Sequence, residues 1–210
     1  MPAPIIIIFV KAPRPGFVKT RLAAAIGNEA ACDAYRQLTE TVLAKLTPLP
    51  HVELRFTPDD AEDEIKPWLR KNWTAQPQGE GDLGQRMHRA FAEANGSAII
   101  IGSDCPYLEL CDLEDTAEAL QTQSAVLGPA VDGGFWLIGL NAPCPALFEG
   151  IEWSTDVVLK TTLAKAKVQG LSVCQLRELS DVDTVEDWSG WRESNSRYDL
   201  TSEMLKYPPK

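Results

Sequence analysis

The chain has 210 residues, of which 44% are apolar, and it carries a formal net charge of −10 at pH 7. This length favours one large α/β domain over two small ones, and the apolar content suffices for a substantial core. The acidic balance argues against nucleic acid as the main partner, because binding to a phosphate backbone depends on basic patches. No stretch approaches the ~20 apolar residues of a membrane span, and the five cysteines form no CxxC pair. We therefore expect a cytoplasmic protein with reduced thiols and no membrane span.

Apolar runs alternate with segments of helical spacing along the chain. We expect strands at residues 5–10, 51–57, 98–101, 125–127, 135–140 and 172–176. We expect helices at residues 21–26, 28–46, 59–71, 85–94, 112–122, 155–167 and 184–191. The strand at 51–57 alternates apolar and polar residues, which predicts a half-exposed strand, and 76–84 is predicted to be a loop. This order predicts a mainly parallel, doubly wound sheet in one domain at 1–194, with a C-terminal tail at 195–210.

Ligands of open α/β sheets bind beyond the carboxyl ends of the strands. That rule selects four segments, each of which combines charged residues or glycines with a neighbouring apolar strand. They are residues 11–21, 102–106, 132–134 and 180–183. We expect these segments to converge on one site.

The first of these segments is basic, since no acidic residue precedes Glu29. A loop that leads into a helix offers free backbone N–H groups to an anion, and Gly16 permits close approach of the backbone. Lys19 and Arg21 can neutralise phosphate oxygens. The segment is not a Walker A loop, because Val18 stands where that loop has glycine. The pattern predicts a phosphate site, with an ordinary surface loop as the alternative.

Asp104, Asp181 and Asp183 are candidate ligands of Mg²⁺ or Mn²⁺, which prefer oxygen ligands. Asp104 follows a buried strand, where a carboxylate is costly unless it is paired or binds a cation. Asp181 and Asp183 point to the same side of an extended backbone and would repel each other without a positive charge. The alternative for Asp104 and Asp183 is capping of the helices that follow. Cys105 is interpreted as a packing residue.

Three further motifs each have two interpretations. Asp132-Gly133-Gly134 places a carboxylate beside a bare backbone, which suits either ligand approach or a tight turn between strands. The glycine-rich segment 78–84 is either a lid or a disordered surface loop. Trp153-Ser154-Thr155 most simply caps the following helix.

Together these segments resemble a bacterial family with the nucleotide-diphospho-sugar transferase (GT-A) fold, which includes glycosyltransferases of arsenosugar biosynthesis. The matching pieces are KAPRPGFVKTRLA (11–23), QGEGDLGQRM (78–87), IGSDCPYL (101–108), LGPAVDGGFWLIGL (127–140), WST (153–155) and DVDTVEDW (181–188). More distantly, the chain is similar to phospholactate guanylyltransferase and to molybdenum-cofactor nucleotidyltransferases. The resemblance implies a three-layer, Rossmann-like α/β fold with a mainly parallel mixed sheet.

The residue patterns and the resemblance together suggest roles for individual residues. The residues expected at the nucleotide and its phosphates are Lys11, Pro15, Gly16, Lys19, Thr20, Arg21, Gly81, Asp82 and Ser103. Those expected at the acceptor substrate are Asp132, Gly133, Gly134, Ser154 and Thr155. Divalent metal is expected at Asp104, Asp181 and Asp183. Lys19 and Asp132 are the expected catalytic residues, for electrostatic support of the phosphates and for orienting or deprotonating an acceptor hydroxyl.

These expectations describe a metal-dependent transferase that uses a nucleotide or nucleotide-sugar donor and a small acceptor. Glycosyl transfer from a nucleotide-diphospho-sugar is the first hypothesis. GT-A glycosyltransferases place a DxD motif after the central strand, where this chain has Asp104-Cys105-Pro106, and the DxD spacing occurs at 181–183 instead. Nucleotidyl transfer with release of pyrophosphate from an NTP is therefore the alternative. A non-catalytic nucleotide-binding protein is the second alternative.

Overall fold

One seven-stranded mixed sheet organises the chain, with strand order β3-β2-β1-β4-β6-β5-β7 in the computed structural model. The structure describes residues 3–206, and the side chains of residues 3–195. The strands are β1 (Ile5–Lys11), β2 (Val52–Thr57), β3 (Thr74–Pro77), β4 (Ala98–Gly102), β5 (Ala125–Pro129), β6 (Phe135–Leu140) and β7 (Val173–Gln175). The helices are α1 (Thr20–Ile26), α2 (Asn28–Leu46), α3 (Glu62–Ile65), α4 (Leu83–Glu93), α5 (Leu110–Ala119), α6 (Val158–Val168) and α7 (Val185–Lys206).

Only β6 of these seven strands runs against the others. It pairs antiparallel with both β4 and β5, whereas the remaining strand pairs are parallel. The carboxyl ends of six strands therefore lie at one edge of the sheet, and the turn from β5 to β6 lies at the same edge. The predicted mainly parallel mixed sheet of an α/β fold is confirmed.

The core lies on both faces of the sheet, as the central strand β1 shows. Ile6, Ile8 and Val10 pack on one face with residues of α2 and α5, and Ile7 packs on the other with residues of α4 and α6. Successive side chains of a strand point to opposite faces, so a continuous run of β-branched residues fits a strand covered on both sides. α1 and α7 pack on the outside of α2 through a further apolar cluster. The result is the expected three-layer architecture.

The prediction of a half-exposed strand at 51–57 was wrong. The missed strand β3 covers the outer edge of β2, because Glu53–Phe56 pairs in parallel with Thr74–Pro77. Arg55, which alternation assigned to solvent, is only 2% exposed. Its guanidinium is paired with the carboxylates of Glu53 and Glu93, which offsets the cost of burying the charge. The mixed sequence of β3 carries no strand periodicity.

Several helix bounds also differ from the prediction. The helix expected at 59–71 is one short turn of α-helix, α3, followed by a 3₁₀ turn at Lys66–Trp68, because Pro67 cannot continue an α-helix. Asn28 is the first residue of α2 and Gly27 is its N-cap. The last helix, α7, runs to Lys206 and so crosses the predicted boundary between domain and tail at 194/195. That division stays a prediction, and residues 207–210 lie outside the described chain.

No described helix combines the length and the apolarity that crossing a lipid bilayer requires.

Candidate functional site

A cleft of about 390 Å³ opens at the carboxyl ends of β1 and β4. All four segments selected from the sequence contribute charged residues to its lining. The lining residues are Phe9, Lys11, Val18, Lys19, Thr20, Arg21, Tyr35, Gly102, Ser103, Asp104, Asp132, Ser154 and Asp183. The site therefore lies where the rule for open α/β sheets places it.

The ammonium of Lys19 is the electrostatic centre of the cleft. Its Nζ lies 2.9 Å from Oδ2 of Asp104 and 2.7 Å from Oδ1 of Asp183, and its side chain is 3% exposed. Burial alone would lower the pKa of Lys19, but the charges of Asp104 and Asp183 outweigh it and raise the pKa above its usual value. The same pairing, against the effect of burial, holds the pKa of Asp104 below its usual range. Lys19 and Asp104 are therefore both ionised at neutral pH. The carboxylates of Asp104 and Asp183 share the one ammonium.

The backbone at the cleft is strained at two positions. Lys19, which precedes α1, has φ 48° and ψ 48° in the left-handed region, and Ser154 has φ 65°. The other two described non-glycine residues with positive φ are Asn72 and Asn95, a residue type that tolerates this region. Such strain costs about 1–2 kcal/mol per residue. Its occurrence at a lysine and a serine of the same cleft is typical of functional sites.

Tyr35 is a cleft residue that the sequence analysis missed. It lies on α2 at helical spacing from buried apolar residues, a pattern that by itself indicates a core residue, and its side chain is indeed buried. The Tyr35 hydroxyl accepts a hydrogen bond from the backbone N–H of Lys11 at 2.7 Å and lies 3.0 Å from Oγ of Ser103. It thereby joins the ends of β1 and β4 beneath the cleft. A tyrosine among aliphatic residues on a helix, where a leucine would pack equally well, was the available signal.

The helix-capping alternatives for two aspartates were wrong. Glu109, not Asp104, precedes α5 as its N-cap. At the start of α7, the hydroxyl of Thr184 accepts a hydrogen bond from the backbone N–H of Asp187. The carboxylate of Asp187 accepts one from the backbone N–H of Thr184. Thr184 and Asp187 therefore cap this helix. Asp183 is thus left to pair with Lys19, and Arg21 lies 3.8 Å from its second oxygen.

Asp181 does not line the cleft, although it belongs to the same acidic group. Val182, which follows it, is fully buried against α1 and α2. Burial and the negative charges of Asp104, Asp132 and Asp183 raise the pKa of Asp181 to about 8, against the opposing effect of Lys19. Burial, together with these neighbouring carboxylates, therefore disfavours ionisation of Asp181.

The β5–β6 turn forms the far side of the cleft. Oδ1 of Asp132 accepts from the backbone N–H of Gly134 at 2.9 Å, which fixes the turn and leaves the second oxygen free of that bond. Gly133 has φ 86°, and a Cβ there would lie 2.2 Å from the carbonyl oxygen of Asp156. The tight-turn interpretation of the two glycines is thus supported. Asp132 lines the cleft, whereas Gly133 and Gly134 do not.

The segment Trp153-Ser154-Thr155 is not the cap of α6. That helix begins at Val158 after Val157, without a side-chain cap, and the Thr155 hydroxyl donates to the carbonyl of Glu152 at 2.6 Å. Ser154 lines the cleft and Thr155 does not.

Four predicted nucleotide-binding residues lie outside the cleft lining. Pro15 and Gly16 are exposed in the loop before α1. Gly81 and Asp82 precede α4, where Asp82 forms a capping box with Gln85. Arg89 donates to the carbonyls of Gln78 and Glu80. The glycine-rich segment is therefore an ordered loop fastened to α4, and its role at the nucleotide stays a prediction.

Cys105 is a packing residue, as expected. It is buried, and burial with the charge of Asp181 raises the pKa of its thiol to about 12. A thiol that stays protonated at neutral pH is a poor nucleophile.

The donor set of the cleft fits a divalent metal that is shared with a substrate. Among residues 3–195, no group of three or more His, Cys, Asp or Glu side chains is arranged to hold a metal by itself. Mg²⁺ is commonly held by one or two carboxylates plus substrate phosphates rather than by an all-protein cage. Asp104 and Asp183, whose side chains are 38% and 39% exposed toward the cleft, supply two such carboxylates.

Comparison with known proteins agrees with this fold. A family profile described as "Uncharacterized protein conserved in bacteria (DUF2064)" matches residues 41–155. The chain belongs to this family. The DUF2064 chain is also similar to a provisionally assigned nucleotide-diphospho-sugar transferase from Desulfovibrio desulfuricans G20. The two are 34% identical with a TM-score of 0.86, over 98% of this chain and 96% of that one.

Two more distant structures share the fold alone. A CMP:2-keto-3-deoxy-manno-octonic acid synthetase complexed with CTP has a TM-score of 0.60 at 8% identity, over 93% of the DUF2064 chain and 99% of its own. A Mycobacterium tuberculosis H37Rv protein in complex with manganese has a TM-score of 0.51 at 13% identity, over 91% and 99%. No curated protein matches the chain in sequence. The predicted family resemblance is confirmed, and the 34% identical relative places the chain among the transferases.

Proposed function

We propose that this DUF2064 protein is a metal-dependent transferase that acts on a nucleotide-activated donor, with glycosyl transfer from a nucleotide-diphospho-sugar as its reaction. The observation that carries the proposal is the buried ammonium of Lys19 between Asp104 and Asp183 in an open cleft at the carboxyl ends of parallel strands. The 34% identical relative, over nearly its whole length, is itself assigned to nucleotide-diphospho-sugar transferases.

The donor phosphates are assigned to the β1 side of the cleft. The basic residues that line it come from one short stretch that runs from the end of β1 into the first turn of α1: Lys11, Lys19 and Arg21. An anionic diphosphate would be attracted to these cations, and their positive charge would stabilise the negative charge that develops on a departing nucleotide. Lys19 is the best placed of the three, because its burial makes its charge–charge interactions stronger than they would be in water.

Asp104 and Asp183 would hold the divalent metal, Mg²⁺ or Mn²⁺. When bound, such a metal supplies Lewis-acid stabilisation of the charge on the leaving diphosphate. A protein of the same fold has been solved in complex with manganese, which supports this choice of metal. Asp181 belongs to the predicted metal set, but it lies outside the cleft lining, so the proposal gives the metal to Asp104 and Asp183.

The acceptor is assigned to the opposite side of the cleft, at the β5–β6 turn. Asp132 and Ser154 line that side, and no basic residue accompanies them. A carboxylate beside a hydroxyl suits an acceptor hydroxyl group, which Asp132 would orient and deprotonate as the new bond forms. Gly133, Gly134 and Thr155 would shape this acceptor side through the backbone of the turn and of the segment before α6.

Nucleotidyl transfer is the second candidate, and one observation favours it. The site has a single aspartate after the central strand, Asp104, and its partner carboxylate, Asp183, comes from a different strand end. This differs from the DxD arrangement that glycosyltransferases of the fold place after the central strand. The fold is also that of a synthetase solved with CTP.

Identification of the released product separates the two candidates. We would incubate the protein and Mn²⁺ with a panel of nucleotide-diphospho-sugars or NTPs, add simple polyols and sugars as acceptors, and separate products by ion-exchange chromatography. Release of a nucleoside diphosphate from a nucleotide-sugar supports glycosyl transfer. Release of pyrophosphate from an NTP, with the nucleotide-sugars unchanged, would contradict glycosyl transfer and support nucleotidyl transfer. The matched control is Asp115→Asn, which changes an exposed carboxylate on α5 and should leave turnover unchanged.

A further inference from the structure

We propose that Lys19 is an internal counter-cation that lowers the affinity of Asp104 and Asp183 for a divalent metal until the phosphates of the nucleotide draw its ammonium away. Metal and nucleotide then bind with positive cooperativity. The inference rests on the proposed function, since it takes the nucleotide and the metal from it. It adds an order of events: the Lys19 ammonium moves from the two carboxylates to the phosphates, and the divalent metal then takes its place at the carboxylates.

The geometry shows one cation already shared by both carboxylates. Nζ of Lys19 is within hydrogen-bonding distance of Oδ2 of Asp104 and Oδ1 of Asp183, at 2.9 and 2.7 Å. The lysine side chain is 3% exposed, whereas both carboxylates open to the cleft. The ammonium therefore approaches the two carboxylates from the protein side, and a metal would have to approach them from the cleft side.

Charge repulsion then opposes metal binding in the nucleotide-free protein. A metal bound to both carboxylates would lie a few ångströms from the buried ammonium, where like charges repel strongly because little water separates them. The two carboxylates also attract a metal ion less strongly, because their negative charge is already neutralised. Lys19 and Arg21 already balance Asp104 and Asp183 as two positive against two negative charges.

Phosphates of a nucleotide would remove this obstacle. They bring several anionic oxygens to the cleft, to which the flexible lysine side chain can turn while its backbone stays fixed in the left-handed conformation. The carboxylates are then left without their cation and gain affinity for a divalent metal. By thermodynamic linkage the metal must raise nucleotide affinity by the same factor, which for such couplings is typically about 5–150-fold.

The direct test is Mn²⁺ titration of the nucleotide-free protein, followed by electron paramagnetic resonance of the unbound ion. Lys19→Met removes the charge and keeps much of the apolar side chain. We expect it to bind Mn²⁺ at least ~10-fold more tightly than wild type. The matched control is Lys66→Met, which removes an exposed lysine in the turn after α3 that pairs with Asp63. This variant should bind Mn²⁺ as tightly as wild type. Equal or weaker binding by Lys19→Met would overturn the inference.

A second measurement uses the wild-type protein, in case Lys19→Met does not fold. The NMR signal of the Lys19 ε-methylene, assigned with Lys19→Arg, should stay in place with Mg²⁺ alone and move when UDP, GDP, CDP or ADP is added with Mg²⁺. Movement with Mg²⁺ alone, to the same position, would overturn the inference. If no nucleotide perturbs the protein, the proposed function fails instead, while the Mn²⁺ comparison of wild type and Lys19→Met still decides the role of Lys19.

Discussion

Nζ of Lys19 lies 2.7 Å from Oδ1 of Asp183, a residue 164 positions later in the chain. The pair joins the loop after β1 to the segment before α7. Because Asp104 at the end of β4 shares the same ammonium, three distant parts of the sequence meet at one point. The cleft is therefore assembled by the whole sheet rather than by one local motif.

Asp104→Asn and Asp183→Asn should each lower kcat/KM by about 100-fold or more, because each removes a charge at which metal and phosphate are expected to meet. Steady-state kinetics of product release with saturating Mn²⁺ would measure the effect. The control is Asp115→Asn, the same substitution at a solvent-exposed position on α5. Full activity of both cleft variants would exclude a direct role of these carboxylates in the reaction.

Gly133→Ala should destabilise the β5–β6 turn by about 3 kcal/mol, through a left-handed φ and overpacking. The added Cβ would lie 2.2 Å from the Asp156 carbonyl oxygen at a φ of 86°. Gly170→Ala is matched in backbone strain, with φ 68° and no atom within 4 Å, and should cost only about 1 kcal/mol. Urea unfolding followed by circular dichroism compares the two, and equal losses would show that the contact with Asp156 relaxes freely.

Tyr35→Phe should lower the free energy of unfolding by about 1–3 kcal/mol, because it leaves the backbone N–H of Lys11 without its acceptor in a buried place. Tyr107→Phe serves as control, since the hydroxyl of that half-buried tyrosine forms no hydrogen bond among the described residues. It should change stability by no more than ~0.5 kcal/mol. A Tyr35→Phe protein as stable as wild type would mean that another group replaces the hydroxyl.

Asp112 provides a pH-dependent contribution to stability. Arg177 donates to both of its carboxylate oxygens at 2.7 Å, and this pairing, against the effect of burial, holds the pKa of Asp112 below its usual value. The contribution is therefore complete above the ordinary Asp pKa of ~3.9 and is lost as pH falls through the lower folded value. Asp112→Asn should cost about 2 kcal/mol at pH 7.

The difference between wild type and Asp112→Asn should shrink below pH ~4, which urea unfolding at a series of pH values would measure. Asp63→Asn is the control, because the pair of Asp63 with Lys66 is exposed and screened by solvent, so it contributes little to stability. A stability difference for Asp112→Asn that is constant from pH 7 to pH 3 would contradict the assignment to the ionised carboxylate.

Much of this arrangement follows from the sequence, and the exceptions have physical reasons. The buried strands β1, β4 and β6 are continuous apolar runs, so periodicity and composition locate them. The edge strand β3, Thr-Ala-Gln-Pro, has neither signal, because its pairing with β2 is decided by tertiary contacts. The same omission made β2 look half-exposed.

The site divides in the same way. Position after a strand end indicates Asp104, Asp132 and Asp183, since the carboxyl edge of a parallel sheet gathers such residues. The burial and left-handed backbone of Lys19 depend on two carboxylates far away in the sequence, so no local pattern indicates them. Tyr35 carries its hydroxyl on a helix stripe that is otherwise apolar, and only the fold reveals what the hydroxyl binds.

The measurement that tests the central claim most directly is a thermal-shift panel of NTPs and nucleotide-diphospho-sugars, each with and without Mn²⁺. A ligand at about a hundred times its dissociation constant stabilises a protein by ~2.7 kcal/mol, and each kcal/mol raises the melting temperature of a chain of this size by roughly 2–4 °C. We predict that at least one nucleotide raises the melting temperature by this amount with Mn²⁺, and by less without it or in the Asp104→Asn, Asp183→Asn double variant. If no nucleotide stabilises the protein in the presence of Mn²⁺, the assignment of this cleft to a metal-dependent nucleotide reaction is contradicted.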